Sequence, residues 1–106
     1  MRRDVFQAIA DPTRRAILTF LTVQAMTPNA LADHFDSSRQ AISKHIKVLT
    51  ECQLVKQEQS GREFYYHINH KKLKEVDNWL QPFRALWDSR FSQLDTLLQN
   101  RKNKKS

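Results

Sequence analysis

Apolar residues along this chain recur at three- and four-residue intervals almost everywhere and alternate in only one stretch. Val5, Phe6, Ile9 and Ala10 share one helical face. Asp11-Pro12 closes that first helix, because proline disfavours helical backbone in the residue before it. The same pair opens the next helix, with Asp11 as the cap and Pro12 in the first turn. This second helix presents Ile17, Leu18, Phe20 and Leu21 and fades after Val23. Thr27-Pro28 repeats the start signal, and Ala30, Leu31 and Phe35 predict a short third helix that Asp36-Ser37-Ser38 breaks. Ser37 or Ser38 then caps a fourth, over about 38–51, with Ala41, Ile42, His45, Ile46 and Leu49 at helical spacing.

Beyond it the period changes. Leu54 to Gln59 and Glu63 to Ile68 are short runs with strand-forming residues, joined through Ser60-Gly61-Arg62, which predicts a β-hairpin over about 54–68. Asn69 is placed to cap a last helical element over about 70–100. There Leu73, Val76, Leu80, Phe83, Trp87, Leu94 and Leu97 keep a three-and-four spacing that only Arg90 breaks. Pro82 falls inside this element and predicts a kink or two abutting helices. No repeat or linker divides the chain, so residues 1–100 read as one domain, mainly α with a small β-hairpin. Two short helices joined by a tight polar turn and followed by a hairpin describe a winged helix-turn-helix, with residues 38–51 as its recognition helix.

Composition agrees with that size and class. The 106 residues suffice for one domain, 40% of them are apolar, and 27% are charged, as in a soluble globular protein. No apolar run reaches membrane-spanning length and none opens the chain as a leader would, so a cytoplasmic protein without membrane insertion is expected. The single cysteine, Cys52, excludes an intrachain disulfide framework and a Cys-rich zinc site. The single glycine, Gly61, excludes the glycine-rich phosphate loops of nucleotide-binding folds.

Charge narrows the partner. The formal net charge is +7, which favours an anionic partner, nucleic acid first. Residues 101–106 hold four of those charges and read as a basic, disordered tail, leaving +3 for residues 1–100. The stretch from Ser37 to Thr50 contains Arg39, Lys44 and Lys47 and no acid. With Ala41, Ile42, Ile46 and Leu49 inward, Arg39, Gln40, Ser43, Lys44 and Lys47 lie on the opposite face. These are the side chains that direct readout of a duplex requires: arginine pairs bidentately with guanine, glutamine with adenine, and serine and lysine reach phosphates or base edges. An ordinary amphipathic helix with a solvated polar face would carry the same pattern. The hairpin after it, with Arg62 at its tip where a minor groove or a phosphate would lie, favours the binding reading.

The residues here resemble a known family. Phe6-Gln7-Ala8-Ile9-Ala10-Asp11-Pro12-Thr13-Arg14-Arg15-Ala16-Ile17-Leu18 resembles the opening of ArsR/SmtB-type bacterial regulators. The run from Ser38 to Leu49 resembles their recognition helix, and Leu54-Val55 with Ser60-Gly61-Arg62-Glu63-Phe64-Tyr65-Tyr66 their wing strands. The likeness runs from residue 4 to about 100. It implies a homodimeric transcriptional repressor, possible autoregulation included, on a double-stranded operator with dyad symmetry. Carried over by position, DNA contacts fall on Ser37, Ser38, Arg39, Gln40, Ser43, Lys44, His45 and Arg62, beside the Lys47 of the polar face. The first and last helices would form the dimer interface, with Phe6 on the first and Leu73, Val76, Leu80, Phe83, Trp87, Leu94 and Leu97 on the last. One position departs from the pattern. The family usually has glycine after the recognition helix, where this chain has Gln53, and a left-handed cap would cost Gln53 about 1 kcal/mol. A different local turn is therefore expected.

Sensing chemistry is less legible. Metal-sensing relatives use a Cys-x-Cys-type cluster or an Asp/His set on the C-terminal helix. Residues 28–45 hold no cysteine, and after His70 the last helix has Asp77, Asp88 and Asp95 but no histidine, so neither a metal nor another cofactor is expected. His34, His67 and His70 read as ordinary surface or strand histidines, and Cys52 as a buried inert thiol. Trp79, Phe83, Trp87 and Phe91 form an aromatic stripe that suits a core or a dimer seam, or else the lining of an effector pocket. No nucleophile–base pair or carboxylate pair stands out, so catalysis is not expected. The competing class is a winged-helix module for protein interaction or sequence-blind nucleic-acid binding.

Overall fold

A computed structural model of the protein describes residues 4–103. Four short helices come first, each started by a side-chain cap. Helix α1, Val5–Ala8, begins with a capping box: Asp4 Oδ1 accepts from the Gln7 N–H at 2.9 Å, and Gln7 Oε1 accepts from the Asp4 N–H at 3.2 Å. It stops short of Ile9 and Ala10, where the apolar period continues. Its open carbonyls find donors on the next helix, since Arg14 Nε donates to Ala8 O at 2.6 Å and Arg15 Nη1 to Ile9 O at 2.8 Å. Helix α2, Pro12–Leu21, starts at Asp11, whose carboxylate accepts from the Arg14 N–H at 3.0 Å.

Thr27 caps α3, Pro28–Ala32, through the Ala30 N–H at 3.1 Å. Phe35 falls past the end of α3 but still packs on the core, edge-on to Phe20 at 5.6 Å between ring centres. Ser38, rather than Ser37, caps α4, Arg39–Glu51, through the Ala41 N–H at 3.1 Å.

The end of α4 settles the question raised by Gln53. Its φ is +64°, the left-handed conformation, without a glycine. The N–H of Gln53 donates to Thr50 O and that of Leu54 to Leu49 O, both at 3.0 Å, which is the paired bonding of a Schellman end. Leu49 and Leu54, the apolar pair that accompanies such an end, are both fully buried. Asn69 adds a bond from Nδ2 to Gln53 O at 2.8 Å. The expected departure in the turn is thus absent, because burial and hydrogen bonding around Gln53 outweigh a backbone cost of about 1 kcal/mol.

Strands β1, Val55–Ser60, and β2, Glu63–Ile68, pair antiparallel in the register Val55 with Ile68 through Ser60 with Glu63. Gly61, at φ +63°, takes the first central position of the two-residue turn, with Arg62 on the negative-φ side, as a type II′ hairpin requires. Met26 bridges to the free edge of β2, with Met26 N to Tyr66 O at 3.1 Å and Tyr66 N to Met26 O at 2.8 Å. The core beneath joins Val5 and Ala8 of α1, Ile17, Leu18 and Leu21 of α2, Leu31 of α3, and Ile42, Ile46 and Leu49 of α4 to Leu54, Val55 and Ile68. Cys52 is buried among them.

Helix α5 spans His70–Asn103 without a break, Pro82 lying inside it, so the two-helix alternative is not what the chain adopts. A proline there removes one N–H and crowds the carbonyl four residues before it, at a cost of about 3 kcal/mol, which this helix of 34 residues accommodates. Residues 101–103, assigned by sequence to a disordered tail, continue the helix; 104–106 lie outside the described residues. By its internal contacts the chain forms two compact units that divide between Val76 and Asp77. No linker marks that point in the sequence because a helix runs through it. In the first unit, Leu73 and Val76 pack against the core. In the second, Trp79 and Phe83 lie 4.8 Å apart between ring centres, and Arg84 pairs with Asp77.

Candidate nucleic-acid interface

Helix α4 buries Ile42, Ile46 and Leu49, and this fixes what its other side presents. Arg39, Gln40, Lys44 and Lys47 are exposed, as are Ser37 and Ser38 before the helix. Ser43 and His45 are half-buried on its flanks. No acid lies in the first turn of α4, so its N-terminal dipole and the arginine beside it act in the same sense on an approaching anion.

The wing is brought to the same place. Arg39 and Ser43, one turn apart on α4, line a cleft of about 470 Å³ together with Arg62, Glu63, Phe64 and Tyr66 of the hairpin and Thr27, Pro28 and Asn29 at the start of α3. Three separate stretches of sequence therefore converge on one concave surface. Its acid, Glu63, accepts a hydrogen bond from the Tyr65 hydroxyl at 3.0 Å, and that carboxylate pushes the Tyr65 phenol above its usual pKa.

Sequence reasoning named Arg39, Ser43 and Arg62 but passed over Asn29, Phe64 and Tyr66. The signal for the last two was available: 64 and 66 alternate along one strand and so share a face, just beyond Arg62 in the turn. Asn29 follows Thr27-Pro28, a helix start already legible, in the helix that precedes the recognition helix.

His45 occupies a different setting from its neighbours. Its Nδ1 lies 3.3 Å from Arg14 Nη1 and 3.8 Å from Asp11 Oδ2, so the ring leans on α2 rather than standing free on the polar face. The Asp11 carboxyl is held below its usual pKa, mainly by the hydrogen bond from the Arg14 N–H, with burial opposing and the nearby Arg14 charge adding. Arg14 was not singled out from sequence, because nothing in the helical pattern says where a long side chain ends.

The remaining candidates divide. His34 stacks on Phe20 at 4.4 Å, and His67 Nε2 lies 4.0 Å from Glu58 Oε2, both ordinary surface arrangements. Among the described residues no three His, Cys, Asp or Glu side chains come together as a metal site would require. No helix among them is long and apolar enough to cross a membrane. The residues expected at a dimer seam differ in setting. Phe6 is 39% exposed, Leu73 and Val76 are partly covered by the core, and Leu80 is half-buried. Phe83, Trp87, Leu94 and Leu97 are exposed, as are Trp79, Leu86, Phe91 and Leu98.

Comparison with known proteins matches residues 9–58 to a helix-turn-helix domain. The transcriptional repressor SdpR of Bacillus subtilis (strain 168) is 38% identical over 76% of this chain and 89% of its own. A crystal structure described as a possible transcriptional regulator for arsenical resistance is 39% identical, with a TM-score of 0.68 over 93% of this chain and 97% of that one. An ArsR-like transcriptional regulator from Rhodococcus sp. RHA1 is 35% identical, with a TM-score of 0.67 over 88% of each chain. The chain belongs to the ArsR/SmtB family. ArsR-type proteins are DNA-binding transcription regulators and not enzymes, and their winged helix-turn-helix is the fold found here: α3 and α4 as the helical pair, β1 and β2 as the wing.

Proposed function

We propose that the chain is a homodimeric repressor that acts in the cytoplasm on an operator of double-stranded DNA with two-fold symmetry, its own promoter among the targets. Arg39, Gln40, Ser43, Lys44 and Lys47 of α4 enter the major groove, with Ser37 and Ser38 at the phosphates before it. Arg62 reaches the adjacent backbone or minor groove from the wing. The convergence of Arg39, Ser43 and Arg62 on one cleft carries this reading, since a helix and a wing tip that share a surface can follow one duplex together. Charge supports it, because from Arg39 to Thr50 the polar face of α4 carries cations and no acid.

The partner protomer packs on Phe6 and on the stripe of Leu80, Phe83, Trp87, Leu94 and Leu97. Leu73 and Val76 contribute less to it, being committed to their own core. The two recognition helices then stand one DNA turn apart, about 34–36 Å.

Fluorescence anisotropy tests the proposal, with the DNA upstream of the protein's own gene set against a scrambled duplex of equal length near physiological salt. Preference of about a thousandfold or more for the native duplex is the expected result. Arg39→Ala should cost about 1–3 kcal/mol on that duplex and relax one operator position. Equal, salt-sensitive binding to both duplexes, unaltered by Arg39→Ala, removes α4 from sequence readout and leaves a sequence-blind module.

A further inference from the structure

Arg14 stands where three helices meet. Its guanidinium donates from Nε to Ala8 O at 2.6 Å and from Nη2 to Gln7 O at 3.1 Å, which occupies two carbonyls at the end of α1. The remaining arm, Nη1, faces His45 Nδ1 at 3.3 Å. A guanidinium carries donors and no acceptor, so for this contact to be a hydrogen bond Nδ1 accepts and is bare of a proton. The neutral ring then carries its hydrogen on Nε2. Asp11 Oδ2, at 3.8 Å from the same Nδ1, lies outside hydrogen-bonding distance, and its charge on the ring is opposed by that of the Arg14 guanidinium.

The other edge of the ring is the informative one. The protein contacts of the ring run through Nδ1, the side chain keeps 27% of its surface exposed, and no side-chain nitrogen or oxygen among the described residues is buried without a partner. Nε2–H therefore reaches solvent, on a helix whose neighbouring Lys44 and Lys47 are exposed. We propose that Arg14 is a positioning residue for DNA binding: its hydrogen bond fixes His45 as a neutral Nε2–H donor aimed at an acceptor atom of the bound duplex. This rests on the reading of α4 as the helix that enters the groove. Arg14 touches no DNA in this scheme; it acts through the imidazole.

Two measurements test it. In the free protein, ring nitrogen NMR signals should show His45 with a protonated Nε2 and a bare Nδ1. In Arg14→Lys, whose single ammonium cannot span three acceptors, the ring should become a mixture of tautomers. An unchanged tautomer in Arg14→Lys would overturn the proposal without any reference to DNA.

On the preferred duplex, Arg14→Lys and His45→Ala should each lose about two- to tenfold in affinity, the double variant no more than either alone. The slope of affinity against salt should stay unchanged in all of them. His45→Gln, whose amide N–H can stand in for Nε2–H, should keep most of the affinity, and equal melting temperatures would show that the fold is intact. A slope reduced by about one unit in Arg14→Lys would make Arg14 a direct phosphate contact, and additive losses would uncouple it from His45; either overturns the proposal. Wild-type protein without duplex preference would instead remove the functional reading, and the tautomer measurement would still decide what Arg14 does.

Discussion

Helix α4 and the stretch of α5 after Val76 both carry apolar residues at helical spacing, and the chain treats them in opposite ways. In α4 the apolar face is consumed by the core, so the polar face is free to act. Past Val76 the apolar face of α5 is left exposed, with Trp87 at 51% and Phe91 at 67%. One helix thus offers cations and hydrogen-bond donors, the other a hydrocarbon strip, although a period of 3.6 marks both. The period says that a face will be covered and not by what. An unaccompanied strip of this kind costs solubility unless another apolar surface meets it, with about 1.5–3 kcal/mol returned for each large side chain buried.

The largest expected effect comes from poisoning that strip. Leu80→Asp with Leu94→Asp should convert a dimer to monomers in sedimentation, with helix content retained by circular dichroism. Losing the second recognition helix should lower affinity for a symmetric operator roughly 100-fold or more, because the avidity of two linked half-sites disappears. Binding to a single half-site should be nearly unchanged. A dimer that survives both charges places the interface elsewhere, and the contrast between the two helices would then mean only that α5 is unusually greasy.

Stability of the α4 scaffold comes next, through the cap of α2. Asp11→Ala should cost about 1 kcal/mol near neutral pH, or about 4–8 °C in melting temperature. The folded carboxyl has a lowered pKa, so its contribution is present above the ordinary value of 3.8 and fades as pH falls through the folded one. The melting curves of wild type and variant should therefore converge in acid. A gap that persists there would assign the loss to something other than the ionised cap.

Arg62→Ala is smaller and tests whether the wing acts with α4. It should weaken all duplexes about equally and lower the salt slope by roughly one unit, as loss of one phosphate contact does. Loss confined to one sequence would make Arg62 a reader of bases.

Much of this was legible before any coordinates. Capping residues placed the starts of α2, α3 and α4 because a side-chain acceptor beside a proline or an apolar run is a local signal. Gly61 placed the hairpin for the same reason. Where partners are distant in sequence the pattern was silent: Arg14 reaches His45 across 31 positions, and Asn69, at the start of α5, turns its amide to Gln53 across 16. The cleft was half visible, since Arg39 and Arg62 stand out by charge, whereas Phe64 and Tyr66 look like hairpin filler until the strand alternation is followed. Pro82 left two outcomes open in the sequence, one helix or two, and the choice of one helix depends on the turns on both sides of it, which no local signal reports.

Gln53 gives the smallest and most local test, at the junction where α4 hands over to the wing. Its backbone is left-handed, which costs a side-chain-bearing residue roughly 1–2 kcal/mol that glycine escapes. Glycine in turn loses about 0.4–1 kcal/mol more on ordering from the unfolded chain. The two effects leave Gln53→Gly about 0.5 kcal/mol more stable, a gain of about 2–4 °C in melting temperature. The backbone bonds from Gln53 to Thr50 and from Leu54 to Leu49, and the bond that Asn69 makes to Gln53 O, involve no glutamine side-chain atom and should persist. DNA affinity should not move, because the turn already holds the conformation that glycine would choose. A fall in stability would mean that the glutamine side chain contributes more than its backbone costs. A fall in affinity at raised stability would mean that strain at this junction helps set the angle between α4 and the hairpin.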